Sequence, residues 1–214
     1  MTDALVSGLF LVAVLALFAW DQYRLYVARY ELAALQRATL RDPLTGLANR
    51  TGLADAWTQL ASLRPWVVVV DLDGFKPVND THGHAAGDLV LTAVASRLRA
   101  IHGVPARLGG DEFAALLLDP NPAAAARQMA AAIASPVRLP SGVSVSVTAS
   151  IGLAPASPAG LAAALADADA AMYRAKTTRA AVVAFDPLRD DHATADPRPV
   201  VRVRDLTPTV EVGR

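Results

Sequence analysis

The hydrophobic pattern divides the chain into three zones. The first opens with an uncharged run from Ala4 to Trp20, ALVSGLFLVAVLALFAW. As a helix it would span about 25 Å, slightly less than a ~30 Å hydrocarbon core. Trp20, Tyr23 and Tyr26 follow where interfacial aromatics belong. The run predicts a transmembrane anchor over 1–20, with a cleaved signal peptide and a buried core helix as alternatives. Asp3 and the absence of Lys or Arg before the run weigh against a signal peptide. Arg24, Arg29, Arg37 and Arg41 all follow it. The positive-inside rule then predicts a single-pass inner-membrane protein with its C-terminal bulk in the cytoplasm. Over 21–40, Leu25, Ala28, Leu32, Leu35 and Thr39 recur by three and four, a heptad-like seam. Two heptads suit either a helix lying on its own domain or a dimerisation stalk.

The second zone, 41–186, alternates strand and helix patterns. PWVVVVDLD is a β-branched run ending in acids. HAAGDLVLTAVASRLRAI has helical spacing at Leu89, Val90, Ala93, Val94 and Leu98. ARLGGDEFAALLL reads as two strands around a tight Gly-Gly turn. PAAAARQMAAAIASP is an alanine-rich helix, GVSVSVTASIGLA alternates with period two, LAAALADADAAMYRAK is helical, and AVVAF is a short last strand. An order of the kind αβααββαβα predicts an α+β, ferredoxin-like domain: an antiparallel central sheet with helices on one face. The third zone, 187–214, is rich in Asp, Arg and Pro without a hydrophobic period, which predicts a disordered tail.

Composition narrows the chemistry. The chain's 214 residues suit one domain plus appendages. With no cysteine, disulfides and thiolate metal sites are excluded. Lys+Arg and Asp+Glu number 20 each, so no bulk charge points to nucleic acid.

Two acidic features carry candidate chemistry. Asp71 and Asp73, at i and i+2, leave the end of a buried strand on one side and can hold a hard divalent cation, although strand-end Asp residues also serve turns. Gly109-Gly110 permits a tight turn and lets a phosphate approach the backbone; Asp111 and Glu112 follow.

These stretches lie among further motifs. RDPLTGLANR over Arg41–Arg50 resembles the opening D-x-L-T-G-L-x-N-R of GGDEF domains. DLDGFKPVNDTHGHAAGD over Asp71–Asp88 resembles their D-x-D-x-F-K-x-x-N-D-x-x-G-H-x-x-G-D stretch. RLGGDEF over Arg107–Phe113 is their signature, and ASIG at Ala149–Gly152 and ADAAMYRAK at Ala168–Lys176 resemble the closing motifs. The order is also the family's. The chain thus resembles the GGDEF diguanylate cyclases over about 41–186.

The resemblance implies a nucleotidyl-cyclase palm that condenses two GTP into cyclic di-GMP across a homodimer, with Mg2+ or Mn2+. Asp71, the Leu72 carbonyl and Asp111 would hold the metal, with Asp73 and Glu112 assisting. Asp111 or Glu112 would accept the proton of the attacking 3′-hydroxyl. Asn79 and Asp88 would read guanine, with His84 and Phe75 beside the nucleotide. Lys76 and Lys176 would meet the β- and γ-phosphates, near the Gly109-Gly110 turn. Each also has a purely structural alternative: Asp88 as a helix-start acid, His84 as a turn brace, Lys176 as a solvated helix end.

Two departures from the family pattern matter. Its K-x-x-G-R-N continuation is Lys176-Thr177-Thr178-Arg179-Ala180-Ala181 here. Ungapped, Arg179 replaces the glycine and Ala180 the arginine; with one residue deleted, Arg179 is the phosphate-gripping arginine. Ala100 and Gly103 stand where many members carry the R-x-x-D of a product-binding site, so no such allosteric site is expected. A degenerate domain that binds GTP without turnover is the main alternative function, and a membrane-anchored interaction module is another.

Overall fold

The structure, a computed structural model, describes residues 17–27 and 40–190. The chain divides into two units, 1–39 and 40–214. In the first, residues 17–27 are helical and expose Leu17, Phe18, Trp20, Tyr23 and Tyr26. The Trp20 and Tyr23 ring centroids lie 6.2 Å apart. Among the described residues, no helix is long and apolar enough to cross a membrane. Most of the expected anchor, and the seam from Ala28 to Thr39, lie outside the described residues.

The second unit begins with α1 (Arg50–Leu60), which the hydrophobic pattern did not mark. The Asn49 side chain caps it, accepting from the Gly52 amide at 2.9 Å. A 3-10 turn leads to β1 (Trp66–Asp73), then to the short helix α2 (Phe75–His82) and to α3 (His84–Leu98). The hairpin β2 (Gly103–Gly109) and β3 (Glu112–Leu117) turns at Gly110, whose φ of 52° favours glycine. Helix α4 (Pro122–Ile133) has Asn121 as its cap and Pro122 at its start. The elements β4 (Val137–Arg138), β5 (Ser144–Val145), β6 (Thr148–Pro155), α5 (Leu161–Thr178) and β7 (Val182–Ala184) follow.

The main sheet has the order β2-β3-β1-β6-β7. Strand β1 lies at its centre, antiparallel to both β3 and β6. Two expectations are corrected. The sheet is mixed, because β7 pairs with β6 in parallel through Ile151↔Val182. Parallel neighbours need a crossover, and α5 supplies it. Helices also cover both faces rather than one. Val68, Val70 and Leu72 face a core that includes Val90, Val94 and Leu98 of α3 and Met129 and Ile133 of α4. Val67 and Val69 face the other core, with Leu53 of α1 and Leu161, Leu165 and Ala168 of α5. This double burial explains the unbroken Val67–Val70 run, the mark of a strand covered on both sides. The period-two stretch GVSVSVTASIGLA is likewise divided: β5 pairs with β4 in a separate small sheet, and β6 enters the main one.

The fold continues past residue 186. Arg174 Nε donates to Asp190 Oδ1 at 2.5 Å and Arg174 NH2 donates to Oδ2 at 3.0 Å. The Asp190 side chain is fully buried. The tail expected over 187–214 is thus corrected at 187–190, which belong to the fold through Asp190, and its remainder from 191 lies outside the described residues.

Candidate functional site

Sheet geometry gathers the acids. Alternation along β1 places Asp71 and Asp73 on the face shared with Val67 and Val69, the face that α5 covers. Glu112 of β3 lies directly opposite Asp71 in register, and Ser150 of β6 lies opposite it on the other side. Asp111 sits in the turn just before β3, and the Leu72 amide donates to its carbonyl at 3.3 Å. Asp71, Leu72 and Asp111, the expected metal set, are therefore adjacent.

Each β1 acid has a protein partner. Lys176 Nζ lies 2.5 Å from Asp71 Oδ2, and the Asp71 side chain is only 5% exposed. Ser150 Oγ donates to Asp73 at 3.0 Å from Oδ1, and Thr148 Oγ1 donates to Oδ2 at 3.2 Å. Gly152 makes the lysine contact possible. A Cβ there would lie 1.9 Å from the Ala168 carbonyl oxygen and 2.3 Å from the Met172 nitrogen. Its absence lets α5 lie on the backbone of β6. One turn beyond Met172, Lys176 then reaches Asp71. The resemblance assigns Lys176 to phosphate; here its ammonium rests on the acid.

The donor chemistry fits a hard divalent cation. Such ions take oxygen ligands, and Mg2+ sites use one or two carboxylates with water and phosphate oxygens completing the shell. Asp71 already supports a positive charge, the Lys176 ammonium. Among the described residues, no three or more His, Asp or Glu side chains form a metal-holding group, so the Leu72 carbonyl and water would complete the shell.

The turn itself is braced from a distance. Arg107 Nε and NH2 donate to the Gly110 carbonyl at 3.0 and 2.8 Å, and NH1 donates to Asp42 Oδ1 at 3.1 Å. The Thr45 amide and hydroxyl also donate to Asp42 Oδ1, at 2.8 and 2.6 Å. Burial pushes the Asp42 carboxyl up, yet the Thr45 donors and the Arg107 guanidinium outweigh it and hold the group below its ordinary range. Arg50 Nε adds a bond to the Leu108 carbonyl at 3.0 Å. Asp42, Thr45, Arg50 and Arg107 lie within the sequence motifs, which assign them no role. Their contacts span up to 65 positions, which local spacing cannot reveal.

The expected nucleotide residues lie mainly on α2 and α3. Asn79 packs over Gly87, where a Cβ would lie 1.9 Å from Asn79 Oδ1. Asn79 thus packs against the first turn of α3, one residue before Asp88. Asn79 Oδ1 is buried and has no hydrogen-bond partner among the described residues. Asp88, His84 and Lys76 are exposed. Phe75, which the resemblance puts at the nucleotide, is 8% exposed and belongs to the core, so it shapes this region from behind. Gly109 and Gly110 have open space around them, where a Cβ would meet nothing within 4 Å.

The two departures gain a structural account. Arg179 caps α5 in the left-handed conformation, φ 56° and ψ 29°, the position where helices favour glycine. This supports the ungapped correspondence: Arg179 stands at the family's glycine and Ala180 at its arginine. At Gly103, a Cβ would lie 1.9 Å from the Leu116 carbonyl oxygen, so the backbone leaves no room for a side chain. Arg99, close to Ala100 in sequence, donates to the Thr45 carbonyl.

Comparison with known proteins agrees with this geometry. Residues 39–181 match the family model described as diguanylate cyclase, GGDEF domain. Diguanylate cyclase DgcN of Escherichia coli is 39% identical over 161 residues, which are 69% of this chain and 40% of that protein. Diguanylate cyclase TpbB of Pseudomonas aeruginosa strain UCBPP-PA14 is 41% identical over 163 residues, 68% of this chain and 37% of that one. The chain thus spans well under half the length of these two relatives. The crystal structure of the coiled coil and GGDEF domain of DgcB from Caulobacter crescentus, in complex with c-di-GMP, aligns with a TM-score of 0.68 at 28% identity. It covers 79% of this chain and 97% of that one. The GGDEF domain of P. aeruginosa TpbB aligns at 0.60 with 37% identity, covering 68% and 94%. The chain belongs to the GGDEF diguanylate cyclase family.

Proposed function

We propose that this protein is an active diguanylate cyclase, condensing two GTP into cyclic di-GMP and releasing two pyrophosphates. The observation that carries this reading is the convergence of Asp71, Asp73 and Glu112 on one sheet face, with Lys176 against Asp71. Asp71 and Asp111, with the Leu72 carbonyl, would hold Mg2+ or Mn2+. That ion supplies charge neutralisation at the phosphates and makes the attacking hydroxyl more acidic. Asp111 or Glu112 accepts the proton of the ribose 3′-hydroxyl. Lys176, displaced from Asp71, turns to the polyphosphate with Lys76, where both act as point charges.

Asn79 and Asp88 read guanine. Among the described residues the buried Asn79 oxygen has no donor, and a guanine N–H supplies one once the amide turns out from Gly87. Asp88 accepts from the guanine edge; adenine presents an acceptor where guanine presents N1–H, so ATP is rejected. One domain binds one GTP, so each 3′-hydroxyl reaches the second nucleotide only across a homodimer. The apolar run Ala4–Trp20 anchors the chain in the inner membrane with the catalytic domain cytoplasmic, and the seam over 21–40 raises the effective concentration of facing domains.

A second reading is favoured by one observation: Arg179 occupies the glycine position and Ala180 the arginine position. A weaker phosphate grip would give a domain that binds GTP and signals without product. Thermal shift with GTP and Mn2+, beside chromatography of the reaction mixture, separates the two. Stabilisation together with cyclic di-GMP supports the cyclase, whereas stabilisation with unreacted GTP supports the binding module.

A further inference from the structure

Ser150 is one of few buried polar residues among those described, and the reaction gives it no part. It is 5% exposed and stands opposite Asp71 in the β1–β6 register. Its hydroxyl, however, serves the other acid. Ser150 Oγ lies 3.0 Å from Asp73 Oδ1 and 3.3 Å from Oδ2, and Thr148 Oγ1 lies 3.2 Å from Oδ2. Asp71 is held separately, by Lys176. The two acids of β1 are thus assigned to different donors, one cationic and one neutral.

The distinction has a physical consequence. Asp71 and Asp73 leave the strand on the same face, their Cα atoms about 6.6 Å apart at ordinary strand rise. Two carboxylates so placed repel, and an unheld Asp73 would swing toward solvent, since it lies at the exposed end of the strand. Hydroxyl donors fix its direction without bringing a charge that competes with a cation. Each carboxylate oxygen retains lone pairs after accepting one hydrogen bond. Lys176 can leave Asp71 when a cation arrives, whereas Ser150 has no reason to leave Asp73.

We propose that Ser150 is a positioning residue for the cation: its hydroxyl, helped by Thr148, holds Asp73 beside Asp71 so that both acids act on one divalent ion. The inference rests on the metal-dependent reading of the site. Partners that orient metal-binding groups are commonly worth about ten- to a hundredfold in metal affinity. Ser150→Ala should therefore weaken Mn2+ binding about tenfold. Ser150→Thr, which keeps the hydroxyl and suits a strand, should restore it to within about threefold.

The test is Mn2+ titration of the full chain without nucleotide, followed by electron paramagnetic resonance of free Mn2+. Turnover of GTP is measured alongside as a function of Mn2+. The expected result is a weaker Mn2+ affinity for Ser150→Ala, a matching rise in the Mn2+ needed for half-maximal turnover, and a KM for GTP at saturating Mn2+ changed less than twofold. Thr148→Ala, at a more exposed site, should show the same shift at smaller size and covers the case in which Ser150→Ala does not fold. Wild-type Mn2+ affinity in Ser150→Ala, or in Thr148→Ala should that alone fold, overturns the proposal, as does a wild-type chain that binds no Mn2+. A wild-type chain that binds Mn2+ but makes no product refutes the cyclase reading and leaves the Mn2+ arm to decide the role of Ser150.

Discussion

The Lys176 ammonium lies 2.5 Å from Asp71 Oδ2, across 105 positions of sequence, with the acid buried and the lysine partly exposed. The lysine serves as the acid's internal counterion until a metal arrives. Any incoming cation must displace it, so its charge opposes metal binding in the absence of nucleotide. Replacing it with Met leaves a buried carboxylate unpaired. We expect Lys176→Met to lose about 1–2 kcal/mol without metal, less than a fully buried pair because the lysine itself reaches solvent. Mn2+ alone should bind this variant more tightly than wild type, while KM for GTP rises. Urea unfolding in EDTA and Mn2+ titration measure both effects; unchanged or weaker Mn2+ binding would count against the counterion role.

Asp42 makes acid stability testable. Its carboxyl lies below the ordinary value of 3.8 despite burial, because Thr45 and Arg107 favour the charged form. A depressed carboxyl stabilises the fold above its unfolded pKa, and that contribution is lost as pH falls through the lower folded value. Asp42→Asn should therefore be less stable at neutral pH, by about 1.5–3 kcal/mol for a charge-assisted contact. The gap to wild type should narrow as pH drops below about 3.8. Urea midpoints from pH 2 to 6 follow both curves, and parallel curves would exclude Asp42 as their source.

Gly87 tests the guanine side. A methyl group there would overlap the Asn79 amide, so Gly87→Ala moves Asn79 before it harms anything else. Overpacking of this kind costs about 1–3 kcal/mol. KM for GTP should rise at least tenfold, while Mn2+ affinity without nucleotide stays within twofold. Isothermal titration with a non-hydrolysable GTP analogue reads the effect directly. Unchanged affinity would remove Asn79 from recognition.

Arg179 carries a measurable conformational cost. A left-handed non-glycine residue costs about 1–2 kcal/mol, so Arg179→Gly should raise stability by about 1 kcal/mol. The double variant Arg179→Gly/Ala180→Arg restores the family's order and should bind GTP more tightly than wild type. Thermal unfolding and GTP titration report on the two changes. A destabilised Arg179→Gly would reverse the ungapped correspondence.

Local signals made β1, the β2–β3 hairpin, α3 and α5 legible, because Val67–Val70, Gly109-Gly110 and the apolar spacing of the helices each act over a few residues. The same Val run also held the correction to the layer count, since a strand apolar on both faces needs cover on both. Helix α1 escaped because its cap, Asn49, lies inside the Arg41–Arg50 motif, and its apolar residues Leu53, Trp57 and Leu60 are separated by polar and small ones rather than joined in a run. Parallel β7 is three residues long, and nothing in Val182–Ala184 specifies its direction; α5 does. At the site, the acids were visible by type and spacing. Their partners were not, because the Lys176–Asp71, Ser150–Asp73 and Arg107–Asp42 contacts are made only by the folded sheet. The close approaches at Gly87 and Gly152 likewise follow from packing rather than from any local turn signal.

Cyclisation of GTP by the full chain is the decisive measurement for the cyclase reading. The chain, incubated with GTP and Mg2+ or Mn2+ over a range of protein concentrations, should form cyclic di-GMP with two pyrophosphates per product. The rate per protomer should rise with concentration until facing domains are saturated, and Asp71→Asn should abolish it while remaining folded. GTP that binds yet remains uncyclised at every protein and metal concentration would mean that the domain is not a cyclase.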